Sequence, residues 1–342
     1  MTRAPTVTIR DVARQAGVSI ATVSRALNSS DLVAGPTRDR VVAAARMLGY
    51  QPNRAARGRR LGPGGLIGVL APDLANPFFL GLLKGVQTQA RGAGRHVLVA
   101  DSAEDAEAEA ALIRLITRQA DGLVLLSSRL DPPRLRALTG PCRTVLVNRV
   151  LPGFPSVLLD FEDGMRQTAG HLAALGHRRC GYAGGPVESF ADLERRRGLA
   201  AGAEQGGLRL IYLGAFSPGR LSGARVADLA VAAGVTCVIA FNDLMALGVL
   251  GRLRELGVRV PAEMSVTGFD DILPASLGTP GLTTVAAPLT EAGRTAVMLL
   301  HRGDEHAGPD PRGHILPVRL VARGSTGPPP GPGRRSDKGG TI

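Results

Sequence analysis

Near the start of the chain apolar positions recur at helical spacing, and from residue 66 onward they gather into short continuous runs, so two kinds of architecture are joined in series. Ile9, Val12, Ala13 and Ala16 form the inner face of a first short helix. Gly17 supplies the permissive backbone of a tight turn through Ser19, which is placed to cap a second helix. There Val23, Ala26 and Leu27 face inward, leaving Ile20, Ala21, Thr22, Ser24 and Arg25 outward. A third helix is predicted from a Thr37 cap, with Asp39 in its first turn and Val41, Val42, Ala44, Ala45 and Leu48 for packing. Two short helices around a sharp turn, backed by a third, make an all-α helix-turn-helix headpiece, and the outward set is what a recognition helix offers to a major groove.

The period then changes. Residues 66–71, 95–100, 122–126 and 144–148 are short apolar runs, separated by helical patterning such as 79–93 and 106–119. A second set follows at 157–160, 179–184, 210–214, 237–241 and 265–269. Alternating buried strands and helices predict parallel, doubly wound sheets, hence an α/β body of two similar lobes. Ligands of such a body bind in the cleft outside the C-terminal ends of the strands.

Charge separates the two parts. Residues 1–63 hold eleven arginines against Asp11, Asp31 and Asp39, which is +8 of the chain's net +12, so the remaining 279 residues carry only +4. A basic headpiece on a nearly neutral body suits phosphate contacts concentrated at one end and a salt-dependent affinity for double-stranded DNA. The three cysteines, Cys142, Cys180 and Cys237, are far apart and in no metal-ligand spacing, so they are expected as reduced core residues. No apolar signal segment or membrane-length run occurs, and the expected location is the cytoplasm, at the nucleoid, with no membrane partner.

Residues 50–65 read as a basic, proline- and glycine-bounded linker with a candidate short helix at 53–60, too polar to be stable alone and expected to fold on DNA. Residues 327–342 are rich in proline, glycine and basic side chains and are expected to be disordered. They hold no leucine heptads, so a dimer is expected rather than a tetramer.

Eight blocks carry a resemblance from residue 8 to 326: the headpiece; Tyr50-Gln-Pro-Asn53; Pro72-Asp-Leu-Ala-Asn-Pro-Phe-Phe79; Leu175-Gly-His-Arg-Arg179; Phe241-Asn-Asp-Leu-Met-Ala-Leu-Gly248; Val266-Thr-Gly-Phe-Asp-Asp271; Leu282-Thr-Thr-Val285; and Leu320-Val-Ala-Arg-Gly-Ser-Thr326. In this order they resemble the LacI/GalR family of bacterial transcriptional regulators. The resemblance implies a homodimer on a pseudo-palindromic operator, repression as its expected action, hinge helices in the central minor groove and a body like periplasmic sugar-binding proteins. It divides the chain into a headpiece (1–52), a hinge (53–64) and an effector and dimerisation domain (65–326). The N-lobe would be 65–160 plus 291–319, and the C-lobe 161–290 plus 320–326.

By position, the resemblance puts Ile20 and Ala21 at operator bases, offering only thymine methyl contact, and Arg25 at a guanine. Thr8, Ser19, Ser24 and Asn28 would set register on phosphates, with Thr22 on the outward face of the recognition helix and Tyr50, Asn53, Arg54, Ala56, Arg57 and Arg59 completing the interface through the hinge. Arg59 stands where many relatives place a leucine wedge, so a kink is not implied, although an arginine suits a narrow minor groove. In the cleft the resemblance assigns Asp73, Asn76, Phe78 and Phe79 from the first lobe and Arg195, Asn242 and Asp270 from the second, with Phe190, Phe241 and Phe269 as walls. Such donors, acceptors and ring faces suit a carbohydrate or nucleoside effector. Asp163 and Asp271 are expected in caps or turns, and His171 and His177 in structural roles. The rival reading is a sugar-processing enzyme using Asp270 and Asp271 as acid and base. Against it, no nucleophile elbow, phosphate loop or metal-spaced cluster is present, so no cofactor is implied, and adjacent residues on a strand point oppositely.

Overall fold

The computed structural model describes residues 8–28, 33–48, 65–302 and 313–331, and divides the chain into a headpiece unit and a body unit. The headpiece holds α1 (Ile9–Ala16), α2 (Ile20–Asn28) and α3 (Gly35–Met47). Val12, Val23 and Val41, one from each helix, are fully buried at the centre of its small core. Gly17 ends α1 at φ +65°, a left-handed backbone that glycine adopts without strain, and Ser19 Oγ accepts from Thr22 N at 3.1 Å to start α2. The third helix begins earlier than expected. Its cap is Ala34, with Pro36 in the first turn, so Thr37 lies inside the helix instead of capping it.

In the body, β1 (Leu66–Ala71), α4 (Pro77–Gly92), β2 (His96–Asp101), α5 (Ala106–Ile116), β3 (Gly122–Leu126), α6 (Pro132–Thr139), β4 (Arg143–Val147) and β5 (Ser156–Leu159) come first. Next are α7 (Phe161–Ala174), β6 (Arg179–Gly184), α8 (Phe190–Gly206), β7 (Arg209–Ala215), α9 (Arg220–Ala233), β8 (Cys237–Ala240), α10 (Asp243–Glu255) and β9 (Ser265–Thr267). The chain ends with α11 (Leu273–Leu277), β10 (Thr284–Ala286), α12 (Leu289–Arg302), β11 (His314–Leu316) and β12 (Arg319–Val321).

The N-lobe sheet has the order β11-β5-β4-β3-β1-β2 and the C-lobe sheet the order β7-β6-β8-β9, both parallel throughout. Strand β5, which the run pattern placed at the head of the second set, pairs with β4 in the first sheet. Helix α12 and β11 return to the N-lobe, while β10 and β12 pair antiparallel and extend the C-lobe through the Thr267–Thr283 bridge. The chain therefore passes between the lobes after β5, before α12 and after β11. Gln167 of α7 clamps the last passage, donating to Val318 O and accepting from Leu320 N.

Helix pairs in both lobes approach backbone to backbone. A Cβ on Gly85 of α4 would collide with Thr290 O of α12, and one on Gly198 of α8 with Glu162 O of α7. Close helix crossings of this kind make each lobe stiff.

The ordered chain also runs past the expected end of the body. Gly327 is buried, its N–H donating to Ser265 Oγ and its carbonyl accepting from His177, so residues 327–331 extend along the C-lobe instead of opening the tail. The structural role expected of His177 follows from this, since the ring also meets Thr236 Oγ1 and burial holds it below the ordinary histidine range. The hinge and residues 332–342 lie outside the described residues. No helix among those described is long and apolar enough to cross a membrane.

Candidate functional site

Two surfaces stand out, one on each unit. On the headpiece, α2 keeps Val23 and Ala26 buried and leaves Ile20, Ala21 and Arg25 exposed, with Thr22 and Ser24 half-buried beside them. Arg25 Nε rests on Ala21 O of its own helix at 3.3 Å, a weak contact that a base edge can replace. The Thr8 hydroxyl and amide both donate to Asp11, at 2.7 and 2.9 Å, and hold that carboxyl below its usual range. That hydroxyl already spends its hydrogen on an internal cap. Asn28 closes α2, and Tyr50, Asn53, Arg54, Ala56, Arg57 and Arg59 lie outside the described residues.

On the body, an open cleft lies between the lobes, in the place where ligands of this architecture bind. Apart from Arg195, in the second turn of α8, the walls are built from residues just beyond a strand's C-terminal end or at a helix start. The N-lobe contributes Asn76, Phe78 and Phe79 after β1, Glu104 after β2, Ser127 and Arg129 after β3, and Asn148 after β4. From the C-lobe come Phe161, Ser189, Arg195, Pro218, Phe241, Asn242 and Asp270.

Backbone strain singles out the same place. The six non-glycine residues with positive φ among those described are Ala103, Glu104, Ser127, Asn148, Asp270 and Asp271. Four line the cleft and the other two adjoin Glu104 and Asp270. Left-handed backbone at ordinary residues costs free energy and persists where the surroundings over-determine it, which is typical of binding sites.

The electrostatic centre is Arg195, only 3 % exposed. Its guanidinium lies over the rings of Phe269, Phe241 and Phe161 at 4.1, 4.3 and 4.7 Å. Nη1 donates to Phe241 O at 2.8 Å and Nη2 to Asp270 Oδ1 at 3.3 Å, while Nε is buried without a partner among the described residues. Asp270 is pushed up to about 7 by burial, despite the opposing pull of Arg195. Its neighbour Asp271, in the loop beyond β9, turns away to Arg323 Nη2 at 2.6 Å.

Of the expected effector residues, the structure gathers Asn76, Phe78, Phe79, Arg195, Phe241, Asn242 and Asp270 around one space and leaves three out. Asp73 is absorbed in the loop before α4, where its carboxylate accepts from Ala75 N. Phe190 is half-buried at the start of α8 without lining the cleft. Phe269 is fully buried beneath Arg195, packed on Phe161 at 5.5 Å, so it is a floor under the guanidinium and not a wall facing a ligand. Asn242 lines the space but spends its amide on Met245 N and Pro218 O.

Sequence reasoning missed Glu104, Ser127, Arg129, Asn148, Phe161, Ser189, Ala191 and Pro218. Their shared signal was position: each follows a strand end or opens a helix, and the strands themselves were legible.

Residues 8–53 match the family model described as bacterial regulatory proteins, lacI family, and residues 169–326 match a periplasmic binding protein-like domain. The HTH-type transcriptional regulator GalS of Salmonella typhimurium strain LT2 is 37 % identical over 305 residues, covering 87 % of this chain and 90 % of that protein. The HTH-type transcriptional repressor CytR of Escherichia coli K12 is 34 % identical, covering 93 % and 96 %. Among solved structures, the Lac repressor dimer bound to operator and the anti-inducer ONPF superposes with a TM-score of 0.71 at 30 % identity, covering 94 % of this chain and all of that one. Headpiece, two-lobed body and matched relatives agree along nearly the whole length, and the chain belongs to the LacI/GalR family of bacterial transcriptional regulators.

Proposed function

We propose that this regulator reads a pseudo-palindromic operator as a homodimer through the exposed face of α2, and that a carbohydrate or nucleoside in the interlobe cleft alters its affinity for that DNA. Arg25 carries most of the direct base readout, because Ile20 and Ala21 present only apolar atoms. Ligand in the cleft changes the angle between stiff lobes, and the paired headpieces then match both half-sites differently. The exposed Leu221, Leu273 and Leu277 of the C-lobe, 86, 69 and 72 % accessible, supply apolar surface for a second copy.

One observation carries this reading: the strained, aromatic-walled, polar-lined cleft and the exposed recognition helix occur in one chain. The enzymatic alternative is disfavoured by the same geometry. Asp270 and Asp271 are engaged by different arginines, so these two carboxyls do not converge on one substrate as acid and base.

The test is selection of sheared DNA from the source genome by the purified full chain, with and without a pool of sugars and nucleosides. Enrichment of a pseudo-palindrome, with its recovery altered by the pool, is the expected result. Enrichment of no sequence under either condition overturns the reading.

A further inference from the structure

Each wall of the cleft carries one arginine, and each arginine has its own carboxylate. On the C-lobe wall the pair is Arg195 with Asp270, 3 and 5 % exposed. On the N-lobe wall Arg129 meets Glu104 through two parallel hydrogen bonds, Nε to Oε2 at 3.1 Å and Nη2 to Oε1 at 3.2 Å, with side chains 11 and 23 % exposed. The fork of Arg129 is thereby saturated on the edge that would otherwise grip a phosphate or carboxylate. Its own backbone N–H is held by the buried Glu109, and Arg149 donates to the neighbouring Ser128 carbonyl, so the pair rests on an anchored loop. With Asp270 ionised, the four charged side chains lining the cleft sum to zero.

The other ready-made anion sites are closed as well. Helices α4, α8 and α10 open onto the cleft, and their leading N–H groups favour negative charge. Each is capped from within the cleft: Asn76 accepts from Phe78 N, Ser189 from Asp192 N and Asn242 from Met245 N. Apart from guanidinium N–H groups outside these pairs, the Arg195 Nε among them, what remains for a ligand is uncharged. The amide NH₂ groups of Asn76 and Asn148 have no protein partner among the described residues, and the rings of Phe78, Phe79, Phe161 and Phe241 provide apolar faces.

Building on the reading of the cleft as the effector site, we propose that the Glu104–Arg129 pair makes it select an uncharged, unphosphorylated ring ligand and reject the phosphate ester of the same ring. Glu104 is the charge filter: it occupies the guanidinium edge that a phosphate would need, and a bound anion would lie beside its carboxylate.

Matched probes test this on the full chain: glucose and glucose 6-phosphate, ribose and ribose 5-phosphate, adenosine and AMP, cytidine and CMP. Binding is followed by calorimetry at pH 8, where the Asp270 carboxyl is ionised and Arg195 stays paired. At least one neutral member is expected to bind, with its phosphate ester at least tenfold weaker. The isosteric Glu104→Gln should lift the relative affinity for the ester at least tenfold by freeing Arg129, and Glu104→Gln with Arg129→Gln should cancel that gain. Circular dichroism checks that both variants fold. A phosphate ester binding wild type as tightly as its neutral partner, or no gain in Glu104→Gln, overturns the charge filter and leaves the cleft reading standing. Binding that survives Ser127→Trp, which fills the cleft, overturns both, and so does the absence of binding by every neutral probe.

Discussion

Replacing Asp270 with asparagine separates the cost of a buried carboxylate from everything else in the cleft. Asp270 is 5 % exposed, and burial lifts it from an ordinary 3.8 to about 7 even with Arg195 attached. Between those values the unfolded chain has lost the proton while the folded chain retains it, so the unfolded state binds fewer protons and stability falls as pH rises. At about 1.4 kcal/mol per pH unit, the full span costs the folded state about 4 kcal/mol by pH 7, with none of it present below pH 3.8. Asparagine keeps the shape and an acceptor for Arg195 but has no charge to desolvate. The nearby Asp243, raised first by burial and next by the Asp270 charge, keeps its bonds to Thr284 Oγ1 and Ile272 N, and losing that charge lowers it, which adds to the gain of Asp270→Asn in the same direction. Urea unfolding of ligand-free wild type and Asp270→Asn, followed by far-ultraviolet circular dichroism at pH 5, 6, 7 and 8, measures this. The stability of Asp270→Asn relative to wild type should grow by about 1 kcal/mol per unit up to pH 7 and then level off. Parallel curves would mean that Asp270 is ionised at little cost and that the Arg195 pairing outweighs burial.

Three further outcomes are expected. Arg25→Ala should lose about 1–3 kcal/mol of preference for operator over scrambled DNA, read as the ratio of dissociation constants at fixed salt; an unchanged ratio removes Arg25 from base readout. Gly198→Ala drives a methyl into the Glu162 backbone and displaces the helix that carries Arg195, so it should lose about 1–3 kcal/mol in thermal unfolding and also weaken effector binding; a stable, fully binding variant would show that the α7–α8 crossing does not position Arg195. Ser127→Gly relieves a left-handed backbone at φ +51° and should gain up to about 1 kcal/mol of stability while binding effector less well, whereas a loss of stability would show that the strain at this strand end is negligible.

Much of the architecture is encoded locally. The Gly17 turn, the Ser19 cap and the three-helix spacing follow from residues within a few positions of one another, and the structure reproduces them because helix and turn formation are short-range. The nine apolar runs from 66 to 269 each became a strand, since buried parallel strands need continuous apolar sequence on both faces. The short β10, β11 and β12, three residues each, were too brief for any run to mark them.

What sequence alone settled, then, is a basic helix-turn-helix headpiece on a two-lobed α/β body, together with the resemblance to a regulator family. The run pattern could not say which sheet β5 and β11 join, although the resemblance assigned both to the N-lobe, and tertiary structure decided which side chains share the cleft. Periodicity records which face of an element is buried but not the element it is buried against. Glu104 and Arg129 are 25 residues apart and Arg195 and Asp270 are 75 apart, so their pairing exists only once separate strand ends are brought to one edge. Asp73, Phe190 and Phe269 show the converse: a residue of fitting type beside the cleft is diverted to a loop, a helix start or the core by neighbours that no local pattern names.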